Sequence, residues 1–295
     1  MVEHSSGEAS FVDASSVDTP SVDTSSGPEG WALGIEYDGQ HFHGWQRQPD
    51  VVSVQAALEQ ALSLVANEPI QVAAAGRTDA GVHATSQVVS FVTNSIRPER
   101  AWLQGVNSNL PAYVSVVWAK LVPADFHARF SAVARRYLYL YREEAVPSAI
   151  GRGQWWSARQ LDTDAMHQSA QALLGEQDFT SVRAAGCQSP TPWRCVHRVS
   201  VVRCGALVVL DIEANAFLLH MVRNIASMLA QVGAGSRDAG WPAALLAAKD
   251  RTTLGPTAPS QGLYLAQVRY EPVLGLPGLR LPPTLAALAG RNILI

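Results

Sequence analysis

The chain has 295 residues, of which 47% are hydrophobic and 16% are charged, and its formal net charge is −3. That length allows a sizeable core and two domains. No apolar run is long enough for a membrane span and the amino terminus lacks the basic and apolar regions of a signal peptide, so we expect a cytoplasmic protein. The three cysteines form no Cys-x-x-Cys pair, which argues against a disulfide framework and a zinc site.

Charge is distributed unevenly along the chain. Residues 1–29 hold six of the 25 acidic residues and no Lys or Arg, so the remainder carries 19 acidic against 22 basic side chains and is mildly basic. The first segment is rich in Ser, Asp and Gly and repeats Ser-Val-Asp-Thr. It has too little apolar surface to offset the entropy of ordering, which predicts a disordered acidic tail over 1–29.

The hydrophobic periodicity of the first half predicts alternating strands and helices in the order βαββαβ. Ser53 is a typical N-cap for the first helix. Pro98 is typical of the first turn of a helix and marks the start of the second. The predicted elements are a strand at 32–37, a helix at 53–66, strands at 70–75 and 87–92, a helix from Pro98, and a strand at 113–121.

The second half repeats this order, with a hairpin turn at Cys204-Gly205. Its predicted elements are a strand at 136–142, a helix at 163–174, strands at 196–203 and 206–213, a helix at 216–232, a shorter helix from Trp241, and a strand at 263–270. We therefore expect an α+β fold of two tandem ferredoxin-like units, 30–125 and 126–271, which form a mainly antiparallel sheet with helices on one side and a central active-site cleft. An irregular tail at 272–295, with a short helix at 282–289, would follow.

The first chemical motif is Gly76-Arg77-Thr78-Asp79-Ala80-Gly81, between two apolar runs. It places a carboxylate and a guanidinium in a sharp turn at the end of a predicted strand. Asp79 is the candidate nucleophile, and Arg77 is its candidate partner. Taken alone, the pattern is weak, because an Asp in such a turn more often caps the turn than attacks a substrate.

Further motifs follow in an order that resembles the tRNA pseudouridine synthase A family over residues 31–271. They are Tyr37-Asp38-Gly39, 42–48, Ser53-Val54-Gln55, 76–84, Asn107, Asn109-Leu110-Pro111, 126–130, Arg135-Arg136-Tyr137, Cys187-Gln188-Ser189, Phe217, 220–224 and 262–265. Three positions depart from the family pattern: Ser86 and Ser227 stand where glycine is usual, and Ser90 stands where histidine is common.

The resemblance implies a cofactor-free and metal-free isomerase that turns uridine into pseudouridine at positions 38, 39 and 40 of the tRNA anticodon stem-loop. The implied catalytic residues are Asp79, Arg77, Tyr137 and Arg223. An Asp is ionised at neutral pH, and Arg77 would hold it so and also fill the gap left by the extruded base. Tyr137 would stack on the displaced uracil or move a proton, and Arg223 would face the carboxylate.

The stretch from 126 to 142 interleaves basic and aromatic side chains, as RNA binding requires. A charged strand edge that prevents aggregation would have the same composition. The resemblance favours RNA binding, and it also implies a homodimer. The candidate RNA-binding residues are Tyr137, Arg77, Phe126, His127, Arg129, Arg135, Arg136, Gln188 and Ser189.

Two alternatives differ in function class. The nearer one is a pseudouridine synthase with another RNA target, and the other is a non-catalytic tRNA-binding protein or RNA chaperone. The presence of Asp79, Arg77 and Tyr137 argues against the second, whereas Ser86 and Ser227 leave it open.

Overall fold

A computed structural model describes residue 1 and residues 27–149 and 152–289. Within these ranges the fold is mixed α and β, with ten strands in one sheet. Neighbouring strands are antiparallel, except that β10 runs parallel to β3 and β6 runs parallel to β5. The strands are β1 Glu29–Tyr37, β2 Ala73–Ala74, β3 His83–Thr93, β4 Val114–Val122, β5 Ala134–Glu143, β6 Trp155–Ser157, β7 Gly175–Asp178, β8 Trp193–Cys204, β9 Leu207–Ala214 and β10 Leu263–Arg269.

The helices begin at capping residues that the sequence supplies. Ser53 Oγ accepts a hydrogen bond from Ala56 N at 3.4 Å, and Asp162 caps the second helix in the same way. A further helix at 99–107 contains a π-helical segment, Ala101–Gly105. The α-helices are α1 Val54–Ala66, α2 Thr163–Ala170, α3 Met221–Gly233, α4 Trp241–Ala248 and α5 Pro283–Ala289. None of the helices in the described ranges has both the length and the hydropathy needed to cross a bilayer.

The two halves of the chain share one sheet, which is joined near its centre. The strand order is β4-β1-β3-β10-β5-β9-β8-β7, with β2 beside β3 and β6 beside β5. At the joint Tyr264 pairs with His83 and Leu265 with Ala84, in parallel orientation. The loop that carries Asp79 immediately precedes β3, so it lies at the junction of the two halves.

The sheet has two apolar faces, because successive side chains of a strand point in opposite directions. On β5, Tyr139 belongs to the main core with α1 to α4, whereas Leu138 and Leu140 belong to a second cluster. Leu285 of α5 packs in that second cluster. The expectation that helices lie on one side of the sheet is therefore wrong for α5, because the tail carries leucines that cover the other face.

Two predicted elements are shorter than expected because side chains take their backbone donors. The strand predicted at 70–75 is reduced to β2, since Ile70 N donates to Ser63 Oγ and Val72 N donates to Glu59 Oε1. The helix predicted at 216–232 begins at Met221, which follows a left-handed His220. Two strands, β6 and β7, were not predicted.

The chain ends differ in what can be described. Residues 2–26 lie outside the described residues. The prediction of a disordered tail over 1–29 falls almost wholly on them. The tail after β10 is held across the joint by Arg280, whose Nε donates to Thr85 O at 3.2 Å and whose backbone N donates to Ala266 O at 3.1 Å. The predicted 282–289 helix is present as α5.

Candidate active site

The loop between β2 and β3, residues 75–82, is held at its start by side chains from both halves. Gln87 of β3 donates from Nε2 to Gly76 O at 2.6 Å and accepts from Gly76 N at 3.4 Å. Arg135 of β5 donates from Nη2 to Ala75 O at 2.9 Å. Because Gln87 is fully buried, these bonds fix the path of the backbone toward Asp79.

The middle of the loop packs against the segment that follows β1. Trp45 N donates to Thr78 O at 3.0 Å, and the Thr78 hydroxyl shares a 2.8 Å hydrogen bond with the Tyr37 hydroxyl. Gly44 has φ +91°, and a Cβ there would come within 2.8 Å of Thr78 O. Only glycine allows this close approach, so the loop that carries Asp79 is positioned before any ligand binds.

The Asp79 carboxylate faces two side chains from the start of α3. Its Oδ2 lies 3.3 Å from His220 Nε2 and 3.4 Å from Arg223 Nη1, and the side chain is 30% exposed. Arg77, the partner predicted from sequence, has an exposed guanidinium with no hydrogen-bond or ion-pair partner among the described residues. The predicted pairing of Arg77 with Asp79 is therefore corrected: the cation beside the carboxylate belongs to Arg223.

Arg223 is fixed by a polar face of α3 that packs on the loop at 254–258. Its Nε donates to Ala258 O at 2.8 Å, and further along the helix Gln231 Nε2 donates to Leu254 O at 3.0 Å. Ser227, which departs from the family's usual glycine, donates to Pro256 O at 2.7 Å. The serine thus contributes to this contact and leaves Arg223 in place.

His220 was not among the predicted site residues. It has φ 59° in the left-handed region, because the preceding residues bond to another loop: Leu219 N donates to Cys187 Sγ, and Leu219 O accepts from Ala184 N. Burial lowers the pKa of His220; Asp79 opposes this, and Arg223 and Arg251 add to it. Two sequence signals could have placed it here: its position in the 220–224 motif and its three-residue spacing from Arg223.

Tyr137 lies in the core with its ring edge against Phe217, the centroids being 5.1 Å apart. Burial raises the pKa of its hydroxyl to about 12, Arg135 opposing and Asp79 adding to the effect. Among the described residues this hydroxyl has no hydrogen-bond partner. Tyr139 and Tyr141 on the same face donate to Pro259 O and Ala226 O, as expected for tyrosines that only support the fold.

The predicted RNA-binding residues divide into exposed and buried groups. Arg129 is exposed, and its guanidinium lies 5.6 Å from the ring centroid of Phe130, on which His127 also packs. Gln188 is exposed and Ser189 is half-buried in the loop that follows β7. These side chains are accessible to a ligand.

The other predicted RNA-binding residues support the fold from within. Arg136 makes a bidentate pair with Asp211, with distances of 2.7 and 2.6 Å, and both are buried. Arg135 donates to four backbone carbonyls, and Phe126 packs on Tyr270. The two guanidiniums and the Phe126 ring already contact other groups of the protein. Their positions therefore do not support direct phosphate contacts from Arg135 or Arg136.

No group of three or more His, Cys, Asp or Glu side chains suited to hold a metal ion occurs within 27–149 and 152–289. The site consists of one carboxylate, an imidazole and a guanidinium beside it, a buried phenol, and an exposed arginine on the same loop. This set can supply a nucleophile or a negative charge, a proton donor, and a cation for a polyanionic ligand.

Comparisons with known proteins agree on one family. A family model described as tRNA pseudouridine synthase matches residues 34–131 and 169–271. The tRNA pseudouridine synthase A of Shewanella amazonensis is 57% identical over 253 residues, which is 85% of this chain and 97% of that protein. The protein of the same name from Klebsiella pneumoniae subsp. pneumoniae is 56% identical over 257 residues, 87% and 95% of the two chains.

Among solved structures the likeness is distant. A chain from the crystal structure of an archaeal box H/ACA sRNP complex is 12% identical and aligns with a TM-score of 0.30, over 68% of this chain and 44% of that chain. The two ranges matched by the family model contain both the loop that carries Asp79 and Arg223. The chain belongs to the tRNA pseudouridine synthase family.

Proposed function

We propose that the protein isomerises uridine to pseudouridine at positions 38, 39 and 40 of the tRNA anticodon stem-loop. The observation that carries the proposal is the Asp79 carboxylate, held between His220 and Arg223 on a preformed loop at the joint of the sheet. The reaction breaks the bond from ribose C1′ to N1 of uracil and joins C1′ to C5. The proton lost from C5 balances the one gained at N1, so no cofactor is required.

In this proposal Asp79 is the covalent or charge-stabilising group, acting at C6 of the base or at C1′ of the ribose. Arg223 pairs with the carboxylate at 3.4 Å and so orients it. His220 lies at the same oxygen and reinforces that position.

Tyr137 is the proposed contact for the displaced base. Since its pKa is raised to about 12, the hydroxyl is protonated at neutral pH and can donate a hydrogen bond. The hydroxyl has no partner in the described structure, so it is free to bond a uracil carbonyl.

Arg77 is proposed to assist extrusion of the uridine. Its exposed guanidinium on the Asp79 loop is free to enter the space that the base leaves in the stem. Arg129, His127, Gln188 and Ser189 form the proposed RNA-contacting surface, with Phe126, Arg135 and Arg136 supporting it from within.

We also propose that the sheet consists of two ferredoxin-like units, residues 30–125 and 126–271. In support, the first half runs β1-α1-β2-β3, the 99–107 helix and β4, which is the same order of strands and helices as β5-α2-β8-β9-α3-β10 in the second half. Residues 1–29 and 272–295 would then be tails. The helices of both units would flank a cleft that contains Asp79.

A symmetric homodimer and a cytoplasmic location complete the proposal. The first rests on the family resemblance, and the second on tRNA being the substrate named for the curated bacterial relatives. Sedimentation equilibrium measures the oligomeric state directly: a single species at the monomer mass would contradict the dimer.

The decisive experiment is pseudouridine mapping of total tRNA from cells with and without this protein. We expect pseudouridine at positions 38 to 40 to depend on the protein, and to be absent when Asp79→Asn replaces it. Dependence at other positions would identify a different RNA target. If tRNA binds but no pseudouridine depends on the protein, the non-catalytic alternative is correct.

A further inference from the structure

A second cavity lies on the helix side of the sheet, away from Asp79. Its volume is about 330 Å³, and it is enclosed by β6, the second half of α3 and the loop at 256–258. That volume is within the range of small-molecule sites, about 300 to 1,000 Å³. Residues that line it include Tyr141, Trp155, Trp156, Arg159, Ala230 and Ala258.

The cavity is separate from the proposed reaction site but shares a wall with it. Tyr141 follows Tyr137 by four positions on the same face of β5, which corresponds to about 13 Å along a strand. Ala258 lines the cavity, and its carbonyl accepts the hydrogen bond from Arg223 Nε at 2.8 Å. A ligand in the cavity would therefore lie next to the loop that positions Arg223.

The walls present flat aromatic rings. Trp155 lies 5.6 Å from Tyr141 between ring centroids, at an interplanar angle of 36°. The Trp155 ring is half-buried and also lies 6.2 Å from the Tyr139 ring between centroids, at 89°, which holds it in one orientation. Trp155 pairs with Tyr141 across β5 and β6, so the two rings lie on the same face. Partly exposed tryptophans held in one orientation are typical stacking surfaces for nucleobases, since every base has a π face.

A cation stands beside these rings. The Arg159 side chain is exposed, and within the described ranges its guanidinium has no hydrogen-bond or ion-pair partner. An unpaired guanidinium is suited to bidentate contact with a phosphate. Aromatic walls together with a free arginine match the two parts of a nucleotide.

We propose that this cavity receives an unstacked nucleobase of the bound RNA, distinct from the uridine that reacts, with Arg159 on the adjoining phosphate. The inference rests on the proposed function, because it takes an RNA stem-loop to be the substrate. The cavity binds a second nucleotide of that RNA. It thereby contributes to the affinity for the RNA and to the alignment of the RNA loop on the protein. Arg159 and Trp155 are binding residues here, and the reaction itself proceeds at Asp79.

The test asks whether changes to the cavity and the removal of one particular base of the RNA affect the same contact. Dissociation constants are measured for the full-length protein with an anticodon stem-loop RNA and with a series in which each loop nucleotide other than the target uridine is abasic. The variants are Trp155→Ala, which removes the stacking ring, and Ala230→Leu, which fills the cavity while keeping a good helix former. Ala244→Leu, at an exposed position of α4, is the matched control.

We expect one abasic position to weaken binding to the parent about tenfold, as loss of one stacked base does. That loss should disappear in Trp155→Ala and in Ala230→Leu, and both variants should bind the intact RNA about tenfold more weakly than the parent does. In Ala244→Leu the loss should persist. Such non-additivity is the signature of a direct contact. Arg159→Ala should also flatten the salt dependence by about one phosphate contact, whereas Arg100→Ala should leave it unchanged.

Two results would overturn the inference. The first is equal abasic losses in the parent and both cavity variants. The second is a higher melting temperature for Ala230→Leu with unchanged RNA affinity, which would identify a packing void. Failure of the proposed function is separate: it would appear as absence of pseudouridine with the parent protein, whatever the coupling result.

Discussion

Arg223 and Asp79 are 144 positions apart in the sequence, and their side chains meet with Nη1 3.4 Å from Oδ2. The same guanidinium donates from Nε to Ala258 O at 2.8 Å. Arg223 is thus fixed on one side by the 254–258 loop and faces the carboxylate on the other. The orientation of Asp79 consequently depends on how α3 packs on that loop.

Arg223→Lys should lower kcat by about 10- to 100-fold with a smaller change in KM. A lysine keeps the charge, but its single ammonium cannot bond Ala258 O and face Asp79 in the same geometry, and small displacements of a reacting group are costly. Single-turnover pseudouridine formation measures the change. Arg251→Lys is the matched control, because Arg251 bonds the same loop without contacting Asp79. Equal rates for the parent and Arg223→Lys would show that Arg223 does not position the carboxylate.

Asp79→Asn should lower turnover by at least about 10³-fold while tRNA affinity and melting temperature stay near those of the parent. The amide keeps the shape of the side chain but lacks the negative charge and nucleophilic oxygen. Asp50→Asn, at an exposed position, controls for the charge change. Turnover near the parental rate would exclude Asp79 as the reacting carboxylate.

His220→Asn should alter the pH dependence of stability. Because the folded pKa of His220 is lowered from the ordinary 6.5, the unfolded chain gains a proton first as pH falls, and protonation then favours unfolding. The parent should therefore lose stability relative to His220→Asn below about pH 6.5, with the difference constant at neutral pH and above. Asn is chosen because it tolerates the left-handed conformation.

Chemical denaturation of the parent and His220→Asn at pH 5 to 8 measures that difference. A free-energy difference that does not change over this range would mean that folding leaves the proton affinity of His220 unaltered. Asp79, Arg223 and Arg251 are the charged groups that act on this imidazole, so Arg251→Gln should raise its pKa and reduce the effect.

Arg129→Ala and Arg136→Ala should produce different defects. Arg129 is exposed, so its loss should weaken tRNA binding and flatten the salt dependence by about one phosphate contact. Arg136 is buried against Asp211, so its loss should destabilise the fold by about 3 kcal/mol, the lower end for a broken buried pair because Arg198 remains 3.1 Å from Asp211. Salt titrations and denaturation curves separate the two. A salt-slope change in a stable Arg136→Ala protein would restore Arg136 to the RNA-binding surface.

Local signals in the sequence were sufficient for most elements. Ser53 marks the start of α1, and the Cys204-Gly205 turn marks the hairpin of β8 and β9, because caps and turns depend on a few adjacent residues. The strand at 70–75 failed because Glu59 and Ser63, on a helix before it, take its backbone donors. Strands as short as β6 have no periodicity to detect.

The site was predictable in its residue types and, through the family resemblance, in the approach of Arg223 to Asp79, but the expected pairing of Arg77 with Asp79 is absent. Asp79, Tyr137 and Arg223 were identified, yet the sequence placed Arg77 beside Asp79 on the ground of proximity along the chain. The actual pairing depends on the joint between β3 and β10 and on the left-handed turn at His220. Both are set by tertiary contacts, which no local pattern encodes.

The exposed guanidinium of Arg77 leads to a final prediction about base extrusion. Since Arg223 already faces Asp79, Arg77 is free to enter the RNA stem in place of the extruded uridine. Extruding a base costs a few kcal/mol, and least when the base is unpaired. Arg77→Ala and Arg77→Lys should therefore lose more rate on a paired, stem-closing uridine than on an unpaired loop uridine.

The measurement is single-turnover pseudouridine formation on two stem-loops that differ only in the base opposite the target, so that the uridine is paired in one and mismatched in the other. We expect the rate on the paired uridine, divided by the rate on the mismatched uridine, to fall at least about tenfold in both Arg77 variants. Arg223→Lys is the internal comparison, because a defect in positioning Asp79 lies in chemistry common to both substrates and should reduce both rates equally. Equal losses for the Arg77 variants would assign Arg77 to the chemical step instead, and would mean that another group stabilises the opened stem.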